Sequence, residues 1–202
     1  PALSEGRRRL VGFFGSSPTI PRLLAAHDYE TFQAGKWWGG NFKEGGFEEG
    51  MTVGDPQKGG RHGDVGLEIG RKSMAPVFDF IDRSVEASKP FFVWYAPMMP
   101  HQPHTPPDRL LEKYRDKTPS LHVAKYWAMI EWFDETCGAL LKHLDDKKIA
   151  NDTLVVYLAD NGWIQKPDAP GYDVRSKQSP YDGGLRTPII VRRPGKIRPA
   201  VI

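Results

Sequence analysis

The sequence predicts an α/β domain with a mostly parallel sheet, on three observations. Residues 153–158, Thr-Leu-Val-Val-Tyr-Leu, form a run of β-branched and large apolar side chains that leads to an abrupt stop at Asp160-Asn161-Gly162, as a strand buried on both faces does where its sheet ends. Residues 90–96 make a second such run. The longest helical pattern, residues 120–147, lies between the two, and 202 residues suffice for one sizeable domain over 1–202. Ligands in open α/β sheets bind beyond the carboxyl ends of such strands, so the residues that follow each run are the first candidates for a site.

In chain order, residues 1–17 carry no clear period and read as an irregular lead-in. Thr19 can cap a short helix over 20–27, with Pro21 tolerated in its first turn and Leu23 and Leu24 facing a core. Residues 29–34 make a short strand that runs into Gly35-Lys36-Trp37-Trp38-Gly39-Gly40. The glycines permit close backbone approach around one lysine and two indoles. This reads either as an anion contact by Lys36 beside a pocket wall or as a surface turn with core tryptophans. Residues 39–66 are glycine-rich and aperiodic, a long loop that includes His62. Val77, Phe78, Ile81 and Val85 define an amphipathic helix over 74–87, with Pro76 in its first turn.

The strand at 90–96 leads into an eleven-residue segment, 97–107, whose five prolines impose an extended, rigid path. That path holds His101 and His104, and at least one of them should reach the same sheet edge as Asp160. Asp108 opens a short helix. In the long helix Val123, Trp127, Ile130, Phe133, Cys137, Leu140, Leu141 and Leu144 recur at three- and four-residue steps as one core-facing stripe. Cys137 on that stripe reads as a small buried hydrophobe, not a nucleophile, and His122 and His143 flank it. Residues 163–176 form a loop that delivers Lys177, and a last strand spans 189–192.

The net charge of +3 is scattered except at Arg7-Arg8-Arg9 and Arg192-Arg193, which argues against nucleic acid and suits a site for an anion. No apolar run approaches the roughly 20 residues that cross a bilayer. The start has no apolar signal core, although a removed leader is compatible with it. The single cysteine excludes an internal disulfide. Three strand ends therefore bear Lys36, His101 and Asp160-Asn161, with Lys177 a loop away. Adjacent carboxylate and amide oxygens suit a hard divalent cation such as Ca²⁺ or Mg²⁺, although two ligands are fewer than such an ion takes. Lysines beside the ion would hold a tetrahedral oxyanion, and a histidine could protonate a leaving group. The residues thus point to metal-assisted hydrolysis of an anionic ester.

Four of these segments carry a resemblance. Gly35-Lys36-Trp37-Trp38-Gly39 is similar to the G-K-W-H-x-G segment of sulfatases, and the strand at 91–96 followed by His101-Gln102-Pro103 resembles their strand and H-x-P. Asp160-Asn161-Gly162 matches that family's second metal-ligand pair, and residues 177–188 resemble its K-x-x-x-Y-E-G-G-x-R-x-P. The resemblance covers residues 18–195. It implies an alkaline-phosphatase-like three-layer α/β sandwich that hydrolyses sulfate esters of the kind found in sulfated glycans or aryl sulfates. It also implies one bound Ca²⁺, with Mg²⁺ possible, and a formylglycine whose hydrate attacks sulfur. By the same resemblance Asp160 and Asn161 would ligate calcium, Lys36 and Lys177 would contact sulfate oxygens, and His101 with Lys177 would assist the leaving oxygen. Many bacterial members are exported, so a periplasmic or secreted location is implied.

Two departures qualify the match. Trp38 stands where the family usually has a histidine. The C-x-P-S-R segment that yields formylglycine is absent, as is the aspartate pair that completes the calcium site, since Cys137 is followed by Gly-Ala-Leu. The expectation is a piece of a longer sulfatase, incomplete at its N-terminal side, inactive alone, and partnered by the rest of the same protein. Two further readings stand beside it: a phosphodiesterase or phosphonate monoester hydrolase of the same superfamily, and a non-catalytic anion- or glycan-binding module.

Overall fold

The computed structural model describes residues 2–54 and 64–200, so His62 lies outside the described residues. The chain forms two compact units, Pro1–Met98 and Met99–Ile202. The first is built on a parallel three-stranded sheet, with β1 (Glu30–Gly35) flanked by β2 (Glu49–Gly50) and β3 (Phe91–Ala96). Glu30 pairs with Phe91 and Gly35 with Ala96, so β1 and β3 end together. The loop expected over 39–66 thus contains a strand; with only two residues, it is too short to show a period.

β1 is central and buried from Thr31 onward, including two polar side chains. Each is satisfied, as burial demands. Thr31 Oγ1 accepts from Glu48 N at 2.9 Å, and Gln33 Nε2 donates to Gly35 O at 2.8 Å while its Oε1 accepts from Thr52 N at 3.1 Å. α3 (Ala75–Glu86) lays Val77, Phe80, Ile81 and Ser84 on this sheet, with Phe80 stacked on Phe32 at 5.0 Å. The expected stripe was one step off: Phe80, not Phe78, fills the core, because positions 77, 80, 81 and 84 share the face that Val77 and Ile81 define.

Residues 1–17 are not irregular. They form α1 (Ala2–Ser16), followed by α2 (Ile20–Ala25). Glycines at 6, 12 and 15 mask a helix whose remaining residues are mostly good helix formers, with Glu5 and Arg8 paired at 2.6 Å. Thr19 precedes α2 in extended conformation, but its hydroxyl donates to Gly45 O at 2.5 Å instead of capping the helix, and Leu23 is exposed instead of facing a core.

The second unit opens with the proline-rich segment, which has cis peptides at Met99-Pro100 and Gln102-Pro103. α4 (Asp108–Arg115) then packs on α5 (Leu121–Asp146). Ser120 caps α5 by accepting from Val123 N at 3.2 Å. The face of α5 that is buried is Ala124, Ala128, Met129, Thr136 and Leu144, whereas Trp127 and Ile130 of the expected stripe are exposed. Small residues admit the close approach of Leu110 and Leu111 on α4, and a pattern search weighted to large side chains passes over them. Cys137 is half-buried; burial, with help from the charge of Asp134, pushes its thiol up to about 11. It is inert packing, as its helical position implied.

β4 (Val155–Leu158) and β5 (Ile189–Arg192) form an antiparallel pair in which Leu158 opposes Ile189 and Val155 opposes Arg192. Here the strand expected to be buried on both faces is covered on one. Tyr157 faces α5 at 6.0 Å from Phe133, while Val156, Leu158, Ile189 and Val191 share an exposed face. β3 is likewise half-buried along most of its length. Among the described residues no helix is long and apolar enough to cross a membrane.

Gly35 ends β1 at φ +93°, and a Cβ there would lie 2.0 Å from Ala96 O. Gly35→Ala is expected to destabilise the chain by about 3 kcal/mol, read as a lower denaturant midpoint at unchanged slope. A second expectation concerns alkali. The Cys137 thiol and the Tyr126 phenol, pushed by burial up to about 11 and about 12, both ionise earlier in the unfolded chain, where the ordinary values are about 8.5 and 10. Their stabilising contribution is complete below about pH 8.5 and is lost as pH rises through the folded values. Thermal melts should fall from pH 8.5 to 12, and Cys137→Ala should flatten the part below 11. A wild-type melting temperature constant over that range would refute this.

Candidate functional site

In the first unit the site residue is Lys36, placed by the end of β1. Gly35 makes the turn, and Lys36 N donates to Ala96 O at 2.6 Å. The two indoles that follow divide their roles. Trp37 is 8% exposed, with its ring edge-on to Phe14, Phe47 and Trp94 at 5.4–6.0 Å. Trp38 is 52% exposed, and the Lys36 ammonium lies 5.1 Å from its ring centroid. Of the two tryptophans expected in the core only Trp37 is there, and Trp38 forms a surface plate under a cation. The sequence reading passed over Asp64, a buried carboxylate that accepts from Val53 N, Gly54 N and Gly66 N at 2.7–3.0 Å and so staples the glycine-rich loop.

In the second unit two glycine motifs lock together. Gly162 N donates to Gly184 O at 2.9 Å, and a Cβ on Gly162 would stand 2.3 Å from Gly183 O. A Cβ on Gly184 would meet Ser176 O at 2.3 Å. Ser176 is fully buried, and its hydroxyl accepts from Ile164 N at 2.7 Å. The turn bearing Asp160 and Asn161 is thus clamped to α6 (Asp182–Leu185) and to the residue before Lys177. The structure brings these three predicted residues onto one clamped framework.

Asp160 is exposed and Asn161 half-buried. Asn161 Nδ2 donates to Gly162 O at 2.9 Å, which orients Oδ1 to the other side. An exposed carboxylate next to an oriented amide oxygen suits a hard cation such as Ca²⁺, and these are two of the six to eight oxygens it takes. Among the described residues no group of three or more His, Cys, Asp or Glu gathers.

Lys177 lies over two rings, its Nζ 4.9 Å from the centroid of Trp163 and 4.8 Å from that of Tyr172. Those rings continue into a row: Trp163 stacks with Tyr126 at 5.9 Å, and His104 meets Tyr126 at 5.5 Å and Trp163 at 5.9 Å. Burial pushes the Tyr126 phenol up to about 12, so it stays neutral at every physiological pH. The sequence reading missed Trp163, Tyr172 and Tyr126; the available signal was the aromatic residue directly after Asp-Asn-Gly. His101 Nδ1 is 2.7 Å from Gln102 O. A carbonyl only accepts, so Nδ1 carries the proton in this contact.

A family model described as Sulfatase matches residues 8–202. The N-acetylgalactosamine-6-sulfatase of Canis lupus familiaris is 28% identical over 143 residues, which is 66% of this chain and 26% of that protein. Among solved structures, Ps i-CgsB in complex with k-i-k-neocarrahexaose superposes at TM-score 0.67 and 21% identity, over 87% of this chain and 47% of that one. A second, in complex with its substrate D-glucosamine-2-N,6-O-disulfate, does so at TM-score 0.61 and 17% identity, over 89% and 56%. The chain therefore spans about a quarter of that curated relative and about half of these structures. At such identities the superpositions establish the fold, an α/β architecture with a parallel sheet of the alkaline-phosphatase type. With the family model matching nearly every residue, the chain belongs to the sulfatase family.

Proposed function

We propose that this chain carries the cation-binding and leaving-group side of a sulfuric ester hydrolase. The observation that carries the reading is the glycine clamp, which puts Asp160, Asn161 and Lys177 on one rigid framework within a chain matched along its length by the sulfatase model. A carboxylate, an amide oxygen and a fixed ammonium are the groups a sulfate ester needs at its oxygens.

Asp160 and Asn161 would hold a calcium ion, with its remaining ligands drawn from outside this chain. When bound, the ion would draw charge from the sulfate oxygens. Lys177, steadied over Trp163 and Tyr172, would bind a sulfate oxygen on the side of the leaving group. By the family resemblance Lys36 would contact a sulfate oxygen as well. His101, with its Nδ1 proton committed to Gln102 O, would present Nε2–H as an imidazolium and pass that proton to the departing alkoxide oxygen. The nucleophile would be a formylglycine on a segment outside this chain. Cys137 is unsuited to that role, half-buried on a helix with its thiol pushed up to about 11.

The substrate class follows from relatives whose names or complexes involve sulfated sugars, N-acetylgalactosamine-6-sulfatase and the D-glucosamine-2-N,6-O-disulfate complex among them. We assign this protein a sulfated saccharide as substrate.

In the complete protein, His101→Ala and Lys177→Ala should each lower kcat for sulfate release by roughly 10² or more, the scale of a lost proton donor or charge contact. If His101→Ala were near-neutral while His104→Ala abolished turnover, the proton donor would be the other histidine. Chelation should abolish activity and added Ca²⁺ restore it. The 202-residue chain alone should release no p-nitrophenol from p-nitrophenyl sulfate above a heat-killed control.

A further inference from the structure

Beyond the row of rings that ends at His104, the second unit contains a cavity of about 470 Å³, lined by Gln102, Pro103, His104, His122, Lys125 and Pro170. Its size falls in the range of small-molecule sites. Three features of the lining define what it suits. The apolar part is Pro103 and Pro170 beside two imidazoles, a rigid flat lining that suits the C–H face of a sugar ring better than an extended aliphatic chain. The charged part is the Lys125 ammonium, and among the described residues no carboxylate lines the cavity. Lys125 and His122 are three residues apart on α5, so they share one face of the helix, and both line the cavity.

The cavity also has a fixed relation to the candidate chemistry in the same unit. Its first wall residue, Gln102, supplies the carbonyl that accepts from His101 Nδ1. Its His104 wall meets Trp163, the ring beneath Lys177. An occupant therefore stands against the residue that fixes His101, the one assigned to protonate the leaving oxygen. The walls are set by the fold: Ser120, which caps α5, also donates from its hydroxyl to Pro167 O and so ties the loop carrying Pro170 to the start of that helix.

We propose that this cavity is a saccharide subsite on the leaving-group side, which takes a sugar ring bearing its own negative charge, a sulfate or a carboxylate, and pairs that charge with Lys125 and His122. The inference rests on the sulfate ester reading and specifies its substrate: an oligosaccharide carrying at least one acidic group besides the sulfate that is cleaved.

Calorimetric titration of the complete protein with a chondroitin sulfate tetrasaccharide tests it. The wild type should bind, and Lys125→Ala and His122→Gln should each weaken Kd by about five- to tenfold, the scale of one lost charged hydrogen bond, with thermal melts unchanged. The chemically desulfated tetrasaccharide, which keeps its carboxylates, separates the two charge sources: retained sensitivity to Lys125→Ala assigns the pair to a carboxylate, and lost sensitivity assigns it to a sulfate. Failure of the wild type to bind, or Kd values in both variants equal to wild type, overturns the subsite. Sulfate release is measured separately. Binding that depends on Lys125 without sulfate release from any ester would sink the hydrolase reading and leave the subsite, whereas release with binding indifferent to Lys125 would do the reverse.

Discussion

The second unit depends on a contact in which neither partner has a side chain. Gly162 meets Gly183 and Gly184 backbone to backbone, so closely that a methyl group on Gly162 would occupy space already filled by the Gly183 carbonyl oxygen, while one on Gly184 would meet that of Ser176. Two segments some twenty residues apart are thereby held as one piece. Oxygen donors lie on one of them and an ammonium adjoins the other, and their relative position follows from main-chain packing instead of from flexible side chains. The loop between them, residues 163–176, is in turn held by Ser176 and by the hydroxyl of Ser120.

The first unit uses the same device once, at Gly35, and backs it with buried polar groups. Gln33 and Thr52 both donate to the carbonyl of Gly35, and Asp64 gathers three amides from the loop beyond. The strand end that presents Lys36 is therefore fixed by hydrogen bonds in an interior where leaving them unmade would be costly. Carbonyl and carboxylate acceptors do here what an apolar plug does elsewhere.

Much of this was legible in the sequence. The strands at 91–96, 155–158 and 189–192 were announced by apolar runs, and Lys36, His101, Asp160 and Asn161 stood out because each comes after a strand, with Lys177 a loop further on. What escaped notice escaped for physical reasons. Helix α1 has glycines where a stripe would be sought. The buried face of α5 is drawn with Ala124 and Ala128, whose small size is the point. β4 was read from composition as covered on both faces, whereas its cover depends on which elements lie beside it, and a strand's own residues do not encode that. The ring row of Tyr126, Trp163, Tyr172 and His104 comes from three separate segments, so no local pattern could assemble it.

The uncovered face of the β4–β5 pair has a further consequence. Leu158 and Ile189 are 59% and 73% exposed, opposite each other on adjacent strands, with Val156 and Val191 beside them. A row of β-branched and leucine side chains on a two-stranded ribbon is a surface on which identical chains stack. The net charge of +3 gives only weak mutual repulsion against it. A lysine at position 156 or 191 would break that apolar row with a charge.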